Sequence, residues 1–468
     1  MTTDTLPKVH TGIKGLDEVL FGGFPESRPV LVCGGPGCGK TLMAIQFLVK
    51  GATDFNEPGV LMTFEESAGD LSQNVKSLGF DLDQLVKENK LRVDHVRIDS
   101  SEIEETGEYD LEGLFVRLNY AIDSIGAKRV VLDTIESLFG GLTNTGILRS
   151  ELRRLFSWLK NKGVTTLITG EKGNGTRTRQ GLEEYISDCV ILLDFRVIDQ
   201  IATRRMRVVK YRGSLHGTNE YPFLIDENGL SVLPITSLKL EYDASTKIIS
   251  TGIPELDKMF SKNGIYKNSG VLLTGTAGTA KSIFASYFAI SSCRKGERVL
   301  YFSFEESPNQ IIRNMKSIGL DMQHYVNEGI LHIHASRPSL FGLEMHLLTI
   351  LKLIEDINPG VVILDPISSL ITIGSESEVR AMLIRLLDSF KSRNISSVFT
   401  SLLDNRTNDF YLSSHSEISS LADTWIILKN ELDDEEMTRS MLIIKSRGMG
   451  HVNKLQKFII TDSGVKFV

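Results

Sequence analysis

Two glycine-rich loops carry the chemistry this chain could perform. The first reads Gly34-Gly35-Pro36-Gly37-Cys38-Gly39-Lys40-Thr41, and the second, 241 residues later, reads Gly275-Thr276-Ala277-Gly278-Thr279-Ala280-Lys281-Ser282. Each has the makings of a phosphate-binding loop. Backbone N–H groups wrap the phosphates, and the N-terminus of the following helix adds partial positive charge. Lys40 and Lys281 can reach the β- and γ-phosphates of a nucleotide, and Thr41 and Ser282 can ligate Mg²⁺. The motif needs a strand before it and a helix after it. Apolar runs from Val30 to Cys33 and from Val271 to Thr274 supply the strands, and Leu42 to Lys50 and Ile283 to Ile290 supply the helices.

The elements that must position these loops also come twice. Thr11-Gly12-Ile13 with Leu16-Asp17 recurs as Thr251-Gly252-Ile253 with Leu256-Asp257, and Phe64-Glu65-Glu66-Ser67 recurs as Phe304-Glu305-Glu306-Ser307. Lys210-Tyr211-Arg212-Gly213 recurs as Lys445-Ser446-Arg447-Gly448. A near-constant offset over so long a period means two tandem domains rather than a solenoid. The expected boundary separates residues 1–234 from residues 235–468. Within each copy, bare apolar runs such as Gly59 to Met62, Arg129 to Leu132, Thr165 to Thr169 and Cys189 to Leu193 alternate with helix-like segments such as Leu114 to Ile125 and Leu148 to Leu159. Unalternating apolar runs suit strands buried on both faces. The fold class is α/β: two doubly wound, mostly parallel sheets, with ligands at the C-terminal ends of their strands.

Carboxylates stand at those strand ends. Arg129 to Asp133 and Val361 to Asp365 are apolar runs ending in an aspartate, the second nucleotide motif, in which Asp133 and Asp365 bind Mg²⁺ or orient its water. Taken alone, Asp133 reads more readily as the cap of the next turn; following a phosphate loop, the metal role is preferred. The pairs Glu65-Glu66 and Glu305-Glu306 also end strands, and a carboxylate near the γ-phosphate can take a proton from an attacking water or hydroxyl. Adjacent residues at a strand end point apart. Glu65 and Glu305 are therefore read as the bases, with Glu66 and Glu306 in support. Lys210 with Arg212, and Lys445 with Arg447, end apolar runs; they are basic turns or cations offered to a neighbouring subunit's nucleotide. His332-Ile333-His334 places two imidazoles on one strand face, but without a third ligand a zinc site is not expected.

Composition narrows the field. Apolar residues make up 41% and charged residues 24%, as in a soluble globular chain. A net charge of −7 argues against a protein dominated by nucleic-acid binding. Four cysteines in 468 residues make no disulfide framework and suit reduced thiols in the cytoplasm. No signal peptide or membrane-length apolar run is visible.

Together, the double loop, the paired Phe-Glu-Glu-Ser blocks, the Lys-X-Arg-Gly turns and Glu220-Tyr221-Pro222-Phe223 resemble the KaiC family from about Lys8 to the last residue. That family comprises double-domain, RecA-fold ATPases of the circadian clock and their relatives outside it. The resemblance implies a homohexamer with ATP bound between subunits. Lys210, Arg212 and His216 would reach the neighbour's first-ring site, and Lys445 and Arg447 its second-ring site. It also implies autokinase and autophosphatase activity, with the phosphorylated pair falling on Ser419 and Ser420; clock members carry Ser followed by Thr. Ala280 stands where the family has glycine, so a Cβ must be tolerated beside phosphate. A KaiB-like partner would dock on the first domain through Ile98 to Asp110. A KaiA-type activator is not expected, because the tail that receives it in clock members is not in this sequence. A RecA-like DNA-dependent ATPase and a nucleotide-stabilised signalling scaffold with negligible turnover are the alternatives.

Overall fold

A computed structural model of the chain describes residues 6–96, 112–139, 145–172, 187–198, 201–234, 244–403, 419–433 and 436–468. It divides into two compact units, residues 1–237 and 238–468.

In the first unit a sheet of nine strands runs, from one edge to the other, Leu91–His95, Gly59–Thr63, Arg129–Asp133, Thr165–Glu171, Pro29–Gly34, Cys189–Ile198, Ile201–Tyr211, Glu220–Asp226 and Gly229–Val232. The first six are parallel to one another, and the last three continue the sheet antiparallel. Alternate strand residues feed two separate cores. Val30, Val32, Leu61, Val131, Leu167 and Ile191 join one, while Leu31, Val60, Met62, Val130, Leu132 and Ile168 join the other. This is why the strands read as unbroken apolar runs: each side chain has a buried face to enter, whichever way it points.

On the first face lies the helix Lys40–Asp54, buried along almost its whole length through Leu42, Met43, Phe47 and Leu48. On the second lie Glu112–Ile125, with Leu118 and Ile122 inward, and Thr145–Asn161, with Leu152, Leu155 and Leu159 inward. The fully buried Arg129 is sandwiched by Phe47 and Phe55 and donates to the carbonyls of Phe47 and His10 and to Glu57.

The second unit repeats the plan. Its sheet runs Leu331–Ala335, Val299–Ser303, Val361–Asp365, Ser396–Leu402, Gly270–Gly275, Thr424–Asp433, Glu436–Ser446, Gln456–Thr461 and Gly464–Phe467. The helix Lys281–Cys293 packs Phe284, Phe288 and Ile290 against Leu273, Tyr301 and Ile363. Each unit is therefore a RecA-like α/β domain with its glycine-rich loop at the C-terminal end of a central parallel strand.

The expected strands are present but longer. The run seen as Cys189 to Leu193 extends to Ile198, and the corresponding strand of the second unit runs Thr424–Asp433. The outer halves pair only within antiparallel hairpins, where polar residues are tolerated and the apolar signal fades.

Candidate functional site

The glycine-rich loops link strand to helix as their sequence context requires. Gly37 and Gly39 adopt positive φ, +70° and +101°. Ala280, the counterpart of Gly39, also sits in the left-handed region at φ +75°, a conformation that strains any residue bearing a Cβ. The Lys40 ammonium donates to the carbonyls of Gly34 and Gly35, both at 3.0 Å, and Lys281 does the same to Gly275 at 2.9 Å and Thr276 at 2.7 Å. Each lysine thus curls over its own loop. Burial pushes the Lys281 ammonium down to about 8, opposed by the charges of Asp365 and Glu305. Both carboxylates are therefore close enough to act on it. Cys38 is buried within the first loop, which pushes its thiol above the usual range. Its counterpart Thr279 closes the second loop by donating to the Thr276 carbonyl at 2.8 Å.

The strand-end aspartates lie beside these loops. Asp133 accepts from the Thr169 hydroxyl, and burial raises its carboxyl above the ordinary range against the pull of the Thr169 and Thr41 hydroxyls. Asp365 accepts from Thr400 on one oxygen and from the Tyr301 phenol, at 2.5 Å, on the other. Burial, then Asp365, hold that phenol protonated, well above its usual range. Thr41 with Asp133, and Ser282 with Asp365, are oxygen donors, the chemistry that Mg²⁺ takes alongside nucleotide phosphates.

The paired glutamates diverge as adjacent strand-end residues must. Glu65 accepts from Thr134 at 2.8 Å and Ser137 at 2.7 Å, on the turn that follows Asp133. Glu66 turns toward Asn74 at 3.2 Å. Glu305 accepts from Ser369 at 2.6 Å, and Glu306 faces Asn314 at 3.4 Å. The serine after each pair is a helix N-cap: Ser67 accepts from the Asp70 N–H, and Ser307 forms a capping box with Gln310. That cap fixes the direction in which the chain leaves the strand, and so separates the two glutamates.

The cations gather at the opposite end of the sheet. Lys445 donates to the Ser419 carbonyl at 2.7 Å, and Arg447 donates to the Ser420 carbonyl at 2.6 Å. Arg447 also lies 3.6 Å from Asp423, which accepts from the Gly270 N–H and from Lys391. The first unit has the same arrangement: Arg212 lies 3.7 Å from Asp188, with Arg28 at 4.0 Å on the other side. Lys210 pairs with Val190 at the start of its strand, and His216 stacks on Tyr211. Burial, and then Arg447 beside it, lower the Lys445 ammonium. A hollow of about 330 Å³ opens here, lined by Tyr266, Asn268, Lys391, Asp423 and Arg447 among others. Sequence reading missed Asp188 and Asp423, since one carboxylate before a strand carries no signal of its own.

His332 and His334 lie on the edge strand of the second sheet, with His334 against Phe302. Among the described residues no cluster of three histidine, cysteine or acidic side chains could hold a metal, and no helix is long and apolar enough to cross a membrane. Residues 98–110 and 413–418 lie outside the described residues. All four cysteines are buried, and no disulfide joins them.

A protein-family model described as the KaiC ATPase matches residues 9–237 and again residues 249–468. The chain belongs to the KaiC family. It is 52% identical over 464 residues to the circadian clock protein KaiC2 of Synechocystis sp., covering 99% of this chain and 82% of that one. It is 36% identical over 465 residues to the circadian clock oscillator protein KaiC of Synechococcus elongatus, covering 98% and 88%. To the KaiC of Prochlorococcus marinus it is 35% identical over 463 residues, covering 98% and 92%. The two KaiC-type ATPase matches coincide with the two RecA-like units.

Proposed function

We propose that this chain is a KaiC-type timing or signalling ATPase that assembles as a homohexamer, hydrolyses ATP in its first unit and phosphorylates Ser419 and Ser420 from the second unit of a neighbouring copy. One observation carries the reading. Ser419, Ser420, Lys445 and Arg447 stand at the Gly270 end of the strand Gly270–Gly275, and the phosphate loop of the same unit stands at the Gly275 end. At ~3.3 Å per residue the two ends are about 17 Å apart. A loop cannot serve hydroxyls so far away, but a neighbour's loop can.

In the first unit, Lys40 and the loop N–H groups bind the phosphates, and Glu65, aimed by Thr134 and Ser137, takes the proton of the attacking water. In the second, Lys281 binds the phosphates of ATP and Glu305 takes the proton of the acceptor hydroxyl. The serine oxygen forms a new bond to the γ-phosphorus, the bond to the β-phosphate oxygen breaks, and ADP leaves. Lys210 and Arg212 of one copy, and Lys445 and Arg447 likewise, offer positive charge to the adjoining copy's nucleotide, with His216 beside the first pair, stabilising charge that develops during transfer. Thr41 with Asp133, and Ser282 with Asp365, would hold Mg²⁺, which neutralises phosphate charge when bound. A KaiB-like protein is the proposed partner of the first unit, through residues 98–110.

Mass spectrometry of the purified chain after incubation with Mg²⁺-ATP tests this. Phosphate is expected on Ser419 and Ser420 and is lost in the Ser419→Ala/Ser420→Ala double variant. No phosphate, or phosphate elsewhere, rejects the kinase and leaves an ATPase scaffold.

A further inference from the structure

Tyr301 lies at the centre of the strand Val299–Ser303 and is fully buried. Its side chain enters the core beneath the helix Lys281–Cys293, with Phe284, Phe288 and Ile363. A phenol in such a place is unfavourable unless its hydroxyl finds a partner. The first unit avoids the problem. Leu61 stands at the matching position, four residues before Glu65 as Tyr301 stands four before Glu305, and fills the matching core with no polar atom.

The phenol's partner is the strand-end carboxylate. Tyr301 donates to Asp365 Oδ2 at 2.5 Å while Thr400 donates to Oδ1. With a donor on each oxygen the carboxylate cannot turn about its Cβ–Cγ bond, and its remaining lone pairs keep one direction.

We propose that Tyr301 is a positioning residue peculiar to the second unit, which fixes the Asp365 carboxylate so that this unit holds the divalent cation of its nucleotide tightly. The inference rests on the proposed nucleotide site of the second unit. The first unit, with Leu61, lacks the brace and provides an internal reference.

The test uses the full chain, saturated with a non-hydrolysable ATP analogue and titrated with Mn²⁺ as the probe, free Mn²⁺ being read by electron paramagnetic resonance. The wild-type chain should bind two Mn²⁺. In Tyr301→Phe one of the two should weaken by about 10- to 100-fold, the range for partners that orient a metal-holding side chain, while the other is unchanged. Should Tyr301→Phe fail to fold, Tyr301→Leu, which installs the first unit's residue, is read the same way. Two sites of wild-type affinity in the variant overturn the inference, as does equal weakening of both. A wild-type chain that binds a single Mn²⁺ overturns the second nucleotide site itself, and the inference with it.

Discussion

The two units place the same residue types at the same strand ends and support them differently. In the first, Glu65 has two hydroxyl donors, Thr134 and Ser137, and Asp133 leans on Thr169 and Thr41. In the second, Pro366 stands where Thr134 would be, so Glu305 keeps only Ser369 of that pair, while Asp365 gains the Tyr301 phenol. The first unit invests its local hydrogen bonds in the candidate base and the second in the carboxylate proposed to hold the metal. A site that must aim a water needs a well-oriented base. A site that must receive a protein hydroxyl, already positioned by its own chain, depends more on holding the donor nucleotide still.

The strongest challenge to this contrast is removal of the base. Glu65→Gln keeps the shape and should lower steady-state ATP turnover by ~10²–10⁴-fold, because a general base is lost. Glu305→Gln should leave most turnover intact while abolishing phosphate incorporation. Turnover that survives Glu65→Gln and vanishes with Glu305→Gln would reverse the division of labour.

The next effect concerns stability and belongs to the first unit alone. Arg129→Leu leaves Glu57 and the carbonyls of His10 and Phe47 without their donor, which should cost about 3 kcal/mol. Val361 begins the matching strand of the second unit, so nothing equivalent is lost there. The chain carries one tryptophan per unit, Trp158 and Trp425. Single-tryptophan variants therefore report each melting transition separately. Equal destabilisation at both probes would show that the two units unfold as one.

Acid should act on the second unit first. His346 is fully buried against Phe304 and Phe341, near His334, with Nε2 on the Pro338 carbonyl and Nδ1 without a partner among the described residues. Burial holds its imidazole below the ordinary value, assisted by His334. A histidine kept neutral in the fold lends its full stability above an unfolded value of about 6.5, and that stability drains away as pH falls toward the lower folded value. Melting followed at Trp425 should drop between about pH 7 and pH 5 by more than melting at Trp158, and His346→Leu should remove the excess. An unchanged pH profile in that variant would exonerate His346.

The smallest effect is expected at Ala280. Its left-handed backbone costs about 1–2 kcal/mol, while glycine would add roughly 0.4–1 kcal/mol of unfolded-chain entropy. Ala280→Gly should therefore stabilise the second unit by about half to one kcal/mol. Destabilisation would mean that the methyl group contributes packing that outweighs its strain.

Much of this was legible in the chain. The loops, the repeated glutamates and the aspartates closing apolar strands announce themselves because each motif is local, its residues adjacent or spaced by one element. What supports them is not local. Thr169 stands 36 residues from Asp133, and Tyr301 stands 64 from Asp365. Those partners meet only because the sheet order sets their strands side by side. In sequence, Tyr301 is one more large residue in an apolar strand, with the same spacing as Leu61. Ser67 and Ser307 were visible as part of a repeated block, but their task of capping a helix shows only in the hydrogen bonds.

The separation of the Gly270 and Gly275 ends has a consequence for symmetry. A unit that gives phosphate at one end of its sheet and receives it at the other has two different contact surfaces. Two such units meeting about a twofold axis would join like to like and satisfy neither surface. The surfaces must join head to tail, and a head-to-tail contact has only two outcomes. If the rotation between copies closes, every donor finds an acceptor and no end is left over. If it does not, the same contact propagates as a filament with an unused donor at one tip and an unused acceptor at the other. On this reading, the angle between neighbouring copies decides whether all of the active sites are complete.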